Sequence, residues 1–595
     1  MSRYQDQAAS GPADSADEAH APCDRAGSPV TGPTGSETRS NDAAADDLNG
    51  HGLLEFFQHG ISTQSWSRFD SLDEARMCYV GTPISNLAYL VSQERCGDET
   101  NLHFPIPQVH REVSWTIGSS LPSLRLRPPL ESDLNSLPVK EVRDALIEAF
   151  FRDIYPIFPI LDEAEWRYHC ASKDSPPPLL LYQAILLAGA HVCQHPKVVE
   201  SRSSFKAALF HRAKALWDLR FENDRVILVQ TALLFSWHTE NSDSVSANHY
   251  YWISVAAGIA FGLGMHRNLA SSATSTAMPP ACRTMFRRMW WTLFQCAVAA
   301  ALEYGRPLVT PPSECDQPAL TEEDLLQTDG SKNTNINLQY CVRNSQLCEI
   351  VADILYAFSP GSVRTLGHLQ DTSVLDSRLA TWIRTLPPGN DFYTLHLRLH
   401  YNSALLHLHR TVIQEARSPV AALTHSSKLC ESAAETLVGI LSSMIQSGTI
   451  RRCYFTASTA VMAAAIQFIR EMRGAIAQNS SLLALQAQDR LEGCFPAMNE
   501  LTRYWPATSA TLKLFQHVLE TTKPMMNSHF NDQISRVSSG AVAVDAASQD
   551  LGPDNWDSMF SNLYTIAPEP DWSNIESWFG VSPYNGGDGG SGRVP

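Results

Sequence analysis

The chain has 595 residues, 44% of them hydrophobic, and a formal net charge of −17 from 45 Lys and Arg against 62 Asp and Glu. That length suffices for two to four domains or one large helical array, and the acidic balance excludes a basic body built to neutralise phosphates. The charge sits at the ends: residues 1–50 hold nine acidic and three basic side chains and residues 541–595 hold eight and one, so the ends carry −13 of the −17.

Residues 1–52 are Ala, Gly, Ser, Pro and Asp with almost no aromatics. They cannot bury enough surface to offset ordering entropy, which predicts a disordered acidic tail. Residues 53–137 read as an arm leading into the body. Within it, 75–112 predicts a short helix at Asn86–Gln93 with extended flanks.

From 138 to 525 the pattern is helical almost throughout. Helices are predicted at 138–152, 162–172, 179–193, 200–220, 225–240, 246–265, 280–303, 334–357, 371–385, 391–415, 420–447, 451–473, 480–494 and 506–520, joined by short Pro-, Gly-, Asn-, Asp- and Ser-containing connections. No repeat of fixed period is found. The predicted fold is all-α, an irregular multi-helix array between disordered acidic N- and C-terminal tails.

The stretch Met278–Thr310 organises this array. Pro279 and Pro280 suit a helix start, and Gly305 with Pro307 suits a stop. Phe286, Trp290, Leu293, Ala297 and Ala301 step by four, three, four and four, one apolar helix face. Arg283, Arg287 and Arg288 lie in its first half, where the dipole disfavours cations, so carboxylate partners from another element are expected. Further on, Leu395, Leu399, Ala404, Leu406 and Val412 fill one long helix, with His396, His400, His407 and His409 interleaved. Val461, Ala464, Ala465 and Phe468 offer a small-residue packing face.

A search for chemistry finds no G-x-S-x-G elbow, no phosphate-binding glycine loop and no H-E-x-x-H helix. Gly258, Gly262 and Gly264 lie inside a helical pattern and are expected to mark close helix packing and a C-cap. His191 and His195, four apart on one predicted helix face with Cys193 between, read as an ordinary helix end at Pro196, not a metal site. The four histidines from His396 read as partly buried residues with backbone partners. No catalytic, metal or cofactor site is expected, and no enzyme. The 13 cysteines include no Cys-x-x-Cys pair and follow no apolar leader, so free thiols in a reducing compartment are expected. The longest apolar runs, Val255–Met265 and Ala460–Ile469, fall short of a bilayer span.

Residues 526–595 read as a second disordered tail carrying an acidic-aromatic segment at 554–579. Trp556, Phe560 and Leu563 form one helical stripe and Trp572, Ile575 and Phe579 another, separated by Pro568-Glu569-Pro570. Acidic neighbours keep the aromatics solvated until the segment folds into a partner's groove, a pattern of activation domains. Docking of the tail on its own body is the competing reading.

Four ordered motifs make the chain resemble the fungal-specific transcription factor domain, the large helical middle region of fungal zinc-cluster regulators. Ala149–Trp166 resembles its opening, with Phe150, Phe151, Pro156 and Pro159 in the family's aromatic turn. Tyr250–Arg267 looks like the second signature, closing in Gly-Leu-Gly-x-His-Arg with His266 and Arg267. Arg287, Arg288, Trp290, Trp291 and Gly305-Arg306-Pro307 are the third. Leu397–Arg410 is similar to a later Leu-rich helix, with Thr411 where a proline is common. Tyr79–Val91 resembles an element that precedes the domain in some members. The resemblance implies that the signature residues are structural and that the protein is nuclear.

Members of this family carry an N-terminal zinc binuclear cluster with six cysteines and a basic stretch, placing a helix in the major groove. Residues 1–80 hold only Cys23 and Cys78 and are acidic. The expectation is therefore a transcriptional co-activator or co-repressor without direct nucleic-acid binding, controlling metabolic or secondary-metabolite genes. It would reach promoters through a zinc-cluster-type DNA-binding partner or act as a homodimer, and its tail would contact the transcription machinery. Two alternatives stay open: a zinc-cluster factor whose N-terminal exon is missing from the gene model, and a ligand-binding protein or enzyme on a borrowed fold.

Overall fold

A computed structural model describes residues 75–79, parts of 84–89, 103–107, and most of 134–522, the exceptions in the last span being 240–247, 269–279, 362–371, 415–419 and four single residues. The expectations for 1–52, for most of 53–137 and for 526–595, including the partner-binding stripes of 554–579, lie outside the described residues. The body is all-α, as expected. One addition precedes it: the extended flanks in the arm pair as an antiparallel hairpin, β1 (Ala75–Tyr79) with β2 (His103–Pro107), in a register that sets Cys78 opposite Phe104. Five residues per strand, broken by Pro105 and Pro107, are too few to announce a sheet in sequence.

The first body helix, α1 (Lys140–Ala149), does not run straight to 152 as predicted. Pro156 removes an N–H from the ladder ahead, and the chain widens to a π turn at Phe150–Ile154 before tightening to a 3-10 turn at Tyr155–Ile157. Then follow α2 (Glu163–Ala171), capped by the Asp162 carboxylate on Glu165 N at 2.9 Å, and α3 (Leu179–Val192). Eleven of the 14 residues of α3 are Leu, Ile, Ala, Val or Gly, and it is apolar on every side. A helix of that kind belongs in an interior, and it packs against α1, the π turn, α5 and α6. Gly189 permits the closest of these approaches: a Cβ there would lie 2.2 Å from Leu146 O.

The helix α3 ends at Val192, so His191 and His195 do not share a helix face as predicted. Pro196 begins a short helix, α4 (Pro196–Glu200), instead of only ending one. The series continues with α5 (Arg202–Asp218), α6 (Arg225–Phe235), α7 (His249–Gly262), α8 (Pro280–Tyr304), α9 (Leu338–Ala357) and α10 (Ser373–Ile383). It closes with α11 (Phe392–Gln414), α12 (Val420–Gln446), α13 (Thr456–Ala477), α14 (Ser481–Glu492), α15 (Phe495–Thr502) and a helix over residues 508–520. The sequence reading passed over α15.

Gly264 has φ +68 and closes α7, Met265 N bonding Ala260 O at 3.0 Å, the predicted C-cap. Gly258 and Gly262 correct the other half of that expectation. A Cβ at either meets nothing within 4 Å, because both face outward on α7. Val461, Ala464, Ala465 and Phe468 are all buried on α13, as their small-residue pattern predicted. The ten cysteines from Cys170 to Cys494 are free. Among the described residues no helix is long and apolar enough to cross a membrane.

Candidate regulatory core

Helix α8 contacts α7, α9 and α13, so it joins the two ends of the body. Its signature residues act as locks. Trp290 is fully buried, 5.6 Å from Phe261 and 5.8 Å from His266 by ring centroid. Trp291 Nε1 donates to Pro318 O at 2.8 Å. The Arg267 guanidinium meets Asp316 at 3.0 Å, and Asp316 N donates to His266 O at 3.2 Å, so the second and third motifs hold the same loop. Gly305 takes φ +56 and lets Arg306 N reach back to Ala301 O at 3.2 Å. The Arg306 cation lies 5.2 Å over Tyr250, whose hydroxyl donates to Pro307 O at 2.9 Å. The first motif joins them. Pro156 O accepts from Asn337 N at 2.8 Å, and Pro159 is buried.

The predicted arginine partners divide. Arg287 grips the buried Asp324 carboxylate through Nη1, at 3.0 and 3.2 Å, and Asp324 also accepts from Thr321 N at 2.6 Å. Arg288 does not follow. It is 1% exposed, its Nη2 reaches only Met285 Sδ at 3.8 Å, and Nε and Nη1 have no hydrogen-bond partner. It lies on the inward side of α8, where no carboxylate among the described residues pairs with it.

A second lock centres on Asp153, 5% exposed in its side chain. It pairs with Arg152 at 2.7 Å, Arg451 at 3.4 Å and Arg452 at 3.5 Å, tying the π turn to the turn before α13.

Inside α5 lies an unforeseen cluster. Lys206 is fully buried without a carboxylate among the described residues. Its amine donates to Trp237 O at 2.9 Å and to His191 Nδ1 at 2.9 Å, and sits 5.3 Å from the Trp505 ring. Burial, then the charge of Arg202, pushes it down to about 7. Arg202 donates to the carbonyls of Ala190, His191 and Cys193 at 2.6 to 2.8 Å, neutralising the C-terminal end of α3. His249 stacks on Phe455 at 4.2 Å and is held neutral by burial. Sequence carried a signal for these cations: Arg202 and Lys206 continue the buried stripe of Phe205, Leu209, Ala213 and Leu216 along α5.

A polar relay crosses four helices. Asn344 Nδ2 of α9 donates to Gln295 Oε1 of α8 at 2.7 Å; His400 Nδ1 of α11 donates to Asn344 Oδ1 at 2.9 Å; Thr456 Oγ1 of α13 donates to His400 Nε2 at 3.1 Å. These directions are those of a neutral His400, which burial pushes down to about 4. His396 packs beside it at 4.4 Å, bonded to Tyr340 OH at 3.0 Å. Of the four histidines, only His407 follows the expected pattern of a backbone partner, at Ser403 O, 2.7 Å away. His409 meets Asp376 at 3.1 Å.

Finally, the arm enters the body. Ile84, Ser85, Asn86 and Tyr89 are at most 1% exposed. Asn86 Nδ2 donates to Thr459 O at 3.2 Å, and its Oδ1 accepts from Arg410 Nη2 at 2.7 Å. These chemistry-bearing groups turn onto one another: Lys206, His191, His249, His396 and His407 are at most 4% exposed, so none of them faces a substrate from solvent. Among the described residues no three His, Cys, Asp or Glu side chains gather where a metal could bind.

Residues 147–384 match a family model described as the fungal specific transcription factor domain. The acetamidase regulatory protein of Aspergillus fumigatus is 33% identical over 457 residues, which cover 74% of this chain and 55% of that protein. The Emericella nidulans acetamidase regulatory protein is 32% identical over 74% and 54%. Cutinase transcription factor 1 alpha of Fusarium vanettenii is 28% identical over 478 residues, 77% and 51%. The chain thus spans about half the length of these curated relatives. No solved structure matches it.

Proposed function

We propose, from the premise that residues 147–384 are a fungal specific transcription factor domain, that the chain is a nuclear transcriptional regulator whose helical body, 138–525, serves regulation and not catalysis. The carrying observation is similarity to fungal transcription regulators over three quarters of the chain. It acts as a co-activator or co-repressor at metabolic or secondary-metabolite genes and reaches promoters through a DNA-binding partner of zinc-cluster type, or as a homodimer. Two sequence features support the partner-borne reading: residues 1–80 are acidic, and Cys23 and Cys78 are their only cysteines. Neither suits a zinc-cluster DNA reader. The segment 554–579 contacts the transcription machinery.

Two measurements test this. Chromatin capture of the tagged full chain should recover promoters only while the partner regulator is present, and the purified protein should show no promoter complex. A tight complex formed alone, weakening steeply with salt, would replace the partner-borne reading. Deleting 554–579 should change the transcripts that respond to loss of the gene; unchanged transcripts remove the tail's role.

A further inference from the structure

Arg410 stands on α11, four residues beyond Leu406 on the same buried stripe, and is 0% exposed. Its guanidinium lies 4.1 Å over the Tyr89 ring and receives one neutral acceptor, Asn86 Oδ1. Nε and Nη1 have no hydrogen-bond partner, and no carboxylate among the described residues pairs with this cation. A second cation, Arg470 of α13, reaches the Tyr89 hydroxyl at 3.5 Å. The pocket therefore accepts, from the arm, a polar acceptor three residues ahead of an aromatic ring.

An amide is an incomplete match for such a pocket. A guanidinium is met best by a carboxylate taking two N–H bonds at once, and a buried cation with unmet donors is costly. An occupant that brings a carboxylate three residues ahead of an aromatic would supply what Asn86 lacks. The C-terminal segment 554–579 holds three: Asp557-Ser-Met-Phe560, Glu569-Pro-Asp-Trp572 and Glu576-Ser-Trp-Phe579. Their aromatics, Phe560, Trp572 and Phe579, belong to the two stripes of that segment. From Thr522 to Asp557 is 35 residues, an extended reach of roughly 120 Å, so the tether does not limit the encounter. Residues 84–89 lie between the paired strands β1 and β2 and belong to the same chain as the pocket, so the exchange is reversible.

We propose that the Arg410 pocket is the docking site of the chain's own segment 554–579, which exchanges with residues 84–89 and while docked is withheld from other partners. The inference rests on the reading of 554–579 as the partner-binding segment and adds its control.

The test uses the full chain carrying Asp557→Asn, Glu569→Gln and Glu576→Gln, so that its own tail no longer competes, titrated with a labelled synthetic peptide of residues 554–579. The peptide should bind this chain at least about threefold more tightly than it binds the wild-type chain. Adding Asn86→Ala should tighten it further by a similar factor, because the arm is weakened. A peptide with Asp557, Glu569 and Glu576 all neutralised should bind at least about tenfold more weakly, the loss of one charge-assisted contact. A benzophenone side chain at peptide position 560 should crosslink to the fragment containing Arg410 or Thr459. Because Asn86→Ala predicts tighter binding that still needs the carboxylates, loss of folding cannot imitate it. Binding indifferent to Asn86, or crosslinks confined to other surfaces, overturns the proposal. Fusing 554–579 to an unrelated DNA-binding domain separates the two readings. Reporter activation without docking refutes only the pocket, and docking without activation refutes only the activation role.

Discussion

Substituting Lys206 by Met isolates the most unusual group in the body. Its amine sits at about 7 in the folded chain against an ordinary 10.5. A base whose affinity for its proton falls on folding is better protonated in the unfolded chain, so stability rises as pH climbs from about 7 to 10.5. At 1.36 kcal/mol per pH unit, the gap withholds about 4 kcal/mol at pH 7 and about 2 kcal/mol at pH 9. The Met variant has no such titration. Against it stand two lost hydrogen bonds, to His191 Nδ1 and Trp237 O, worth about 1 kcal/mol each. Urea unfolding at pH 7, 8 and 9 should show the wild-type chain gaining about 2 kcal/mol relative to Lys206→Met across that range. The difference is the readout, because Cys296, Cys341 and Cys453, each pushed to about 12 by burial, pull both chains the other way above their unfolded pKa. Parallel pH profiles for the two proteins would refute the buried-amine argument.

Trp290→Ala should cost about 3–5 kcal/mol by opening a cavity at the centre of α8, read as a lowered denaturation midpoint. The wild-type body should lose stability as pH falls from 6.5 towards 4, where the unfolded chain takes up the proton that burial denies His400. That group contributes up to about 3 kcal/mol, and His400→Gln should flatten the acid limb measured at pH 6.5, 5.5 and 4.5. Gly189→Ala should fail to accumulate as folded protein, since its methyl would meet Leu146 O at 2.2 Å. Gly258→Ala, facing open space in a helix, should instead stabilise by about 0.5–1 kcal/mol in thermal unfolding.

Periodicity made the helices legible because each buries one stripe, and α8 could be outlined from Phe286 to Ala301 before any coordinates. What periodicity cannot carry is a cation on the buried stripe. Arg202, Lys206, Arg288 and Arg410 each occupy an apolar phase of their helix. Sequence reasoning by charge placed Arg288 opposite a carboxylate, although its phase pointed inward. Glycines misled in the converse way: Gly258 looked like a packing residue and Gly189 did not, because close approach depends on which helix lies across, in this case α1. The relay escaped notice for a similar reason. Gln295, Asn344, His400 and Thr456 are ordinary residues in sequence, and only the meeting of four helices turns them into one chain of hydrogen bonds.

The seat of the arm also bears on how the protein is made. Asn86 must find Thr459, 373 residues later in the chain. At about 5–20 residues per second of synthesis, Ile84 and Tyr89 wait on the order of 20–75 s after leaving the ribosome before their dock exists. Through that interval the nascent chain carries apolar side chains with no native surface to cover them, while α1 to α11 fold behind. A chaperone that holds this segment would find its window there, because one of the first parts to be synthesised is seated only after Thr459 has been made.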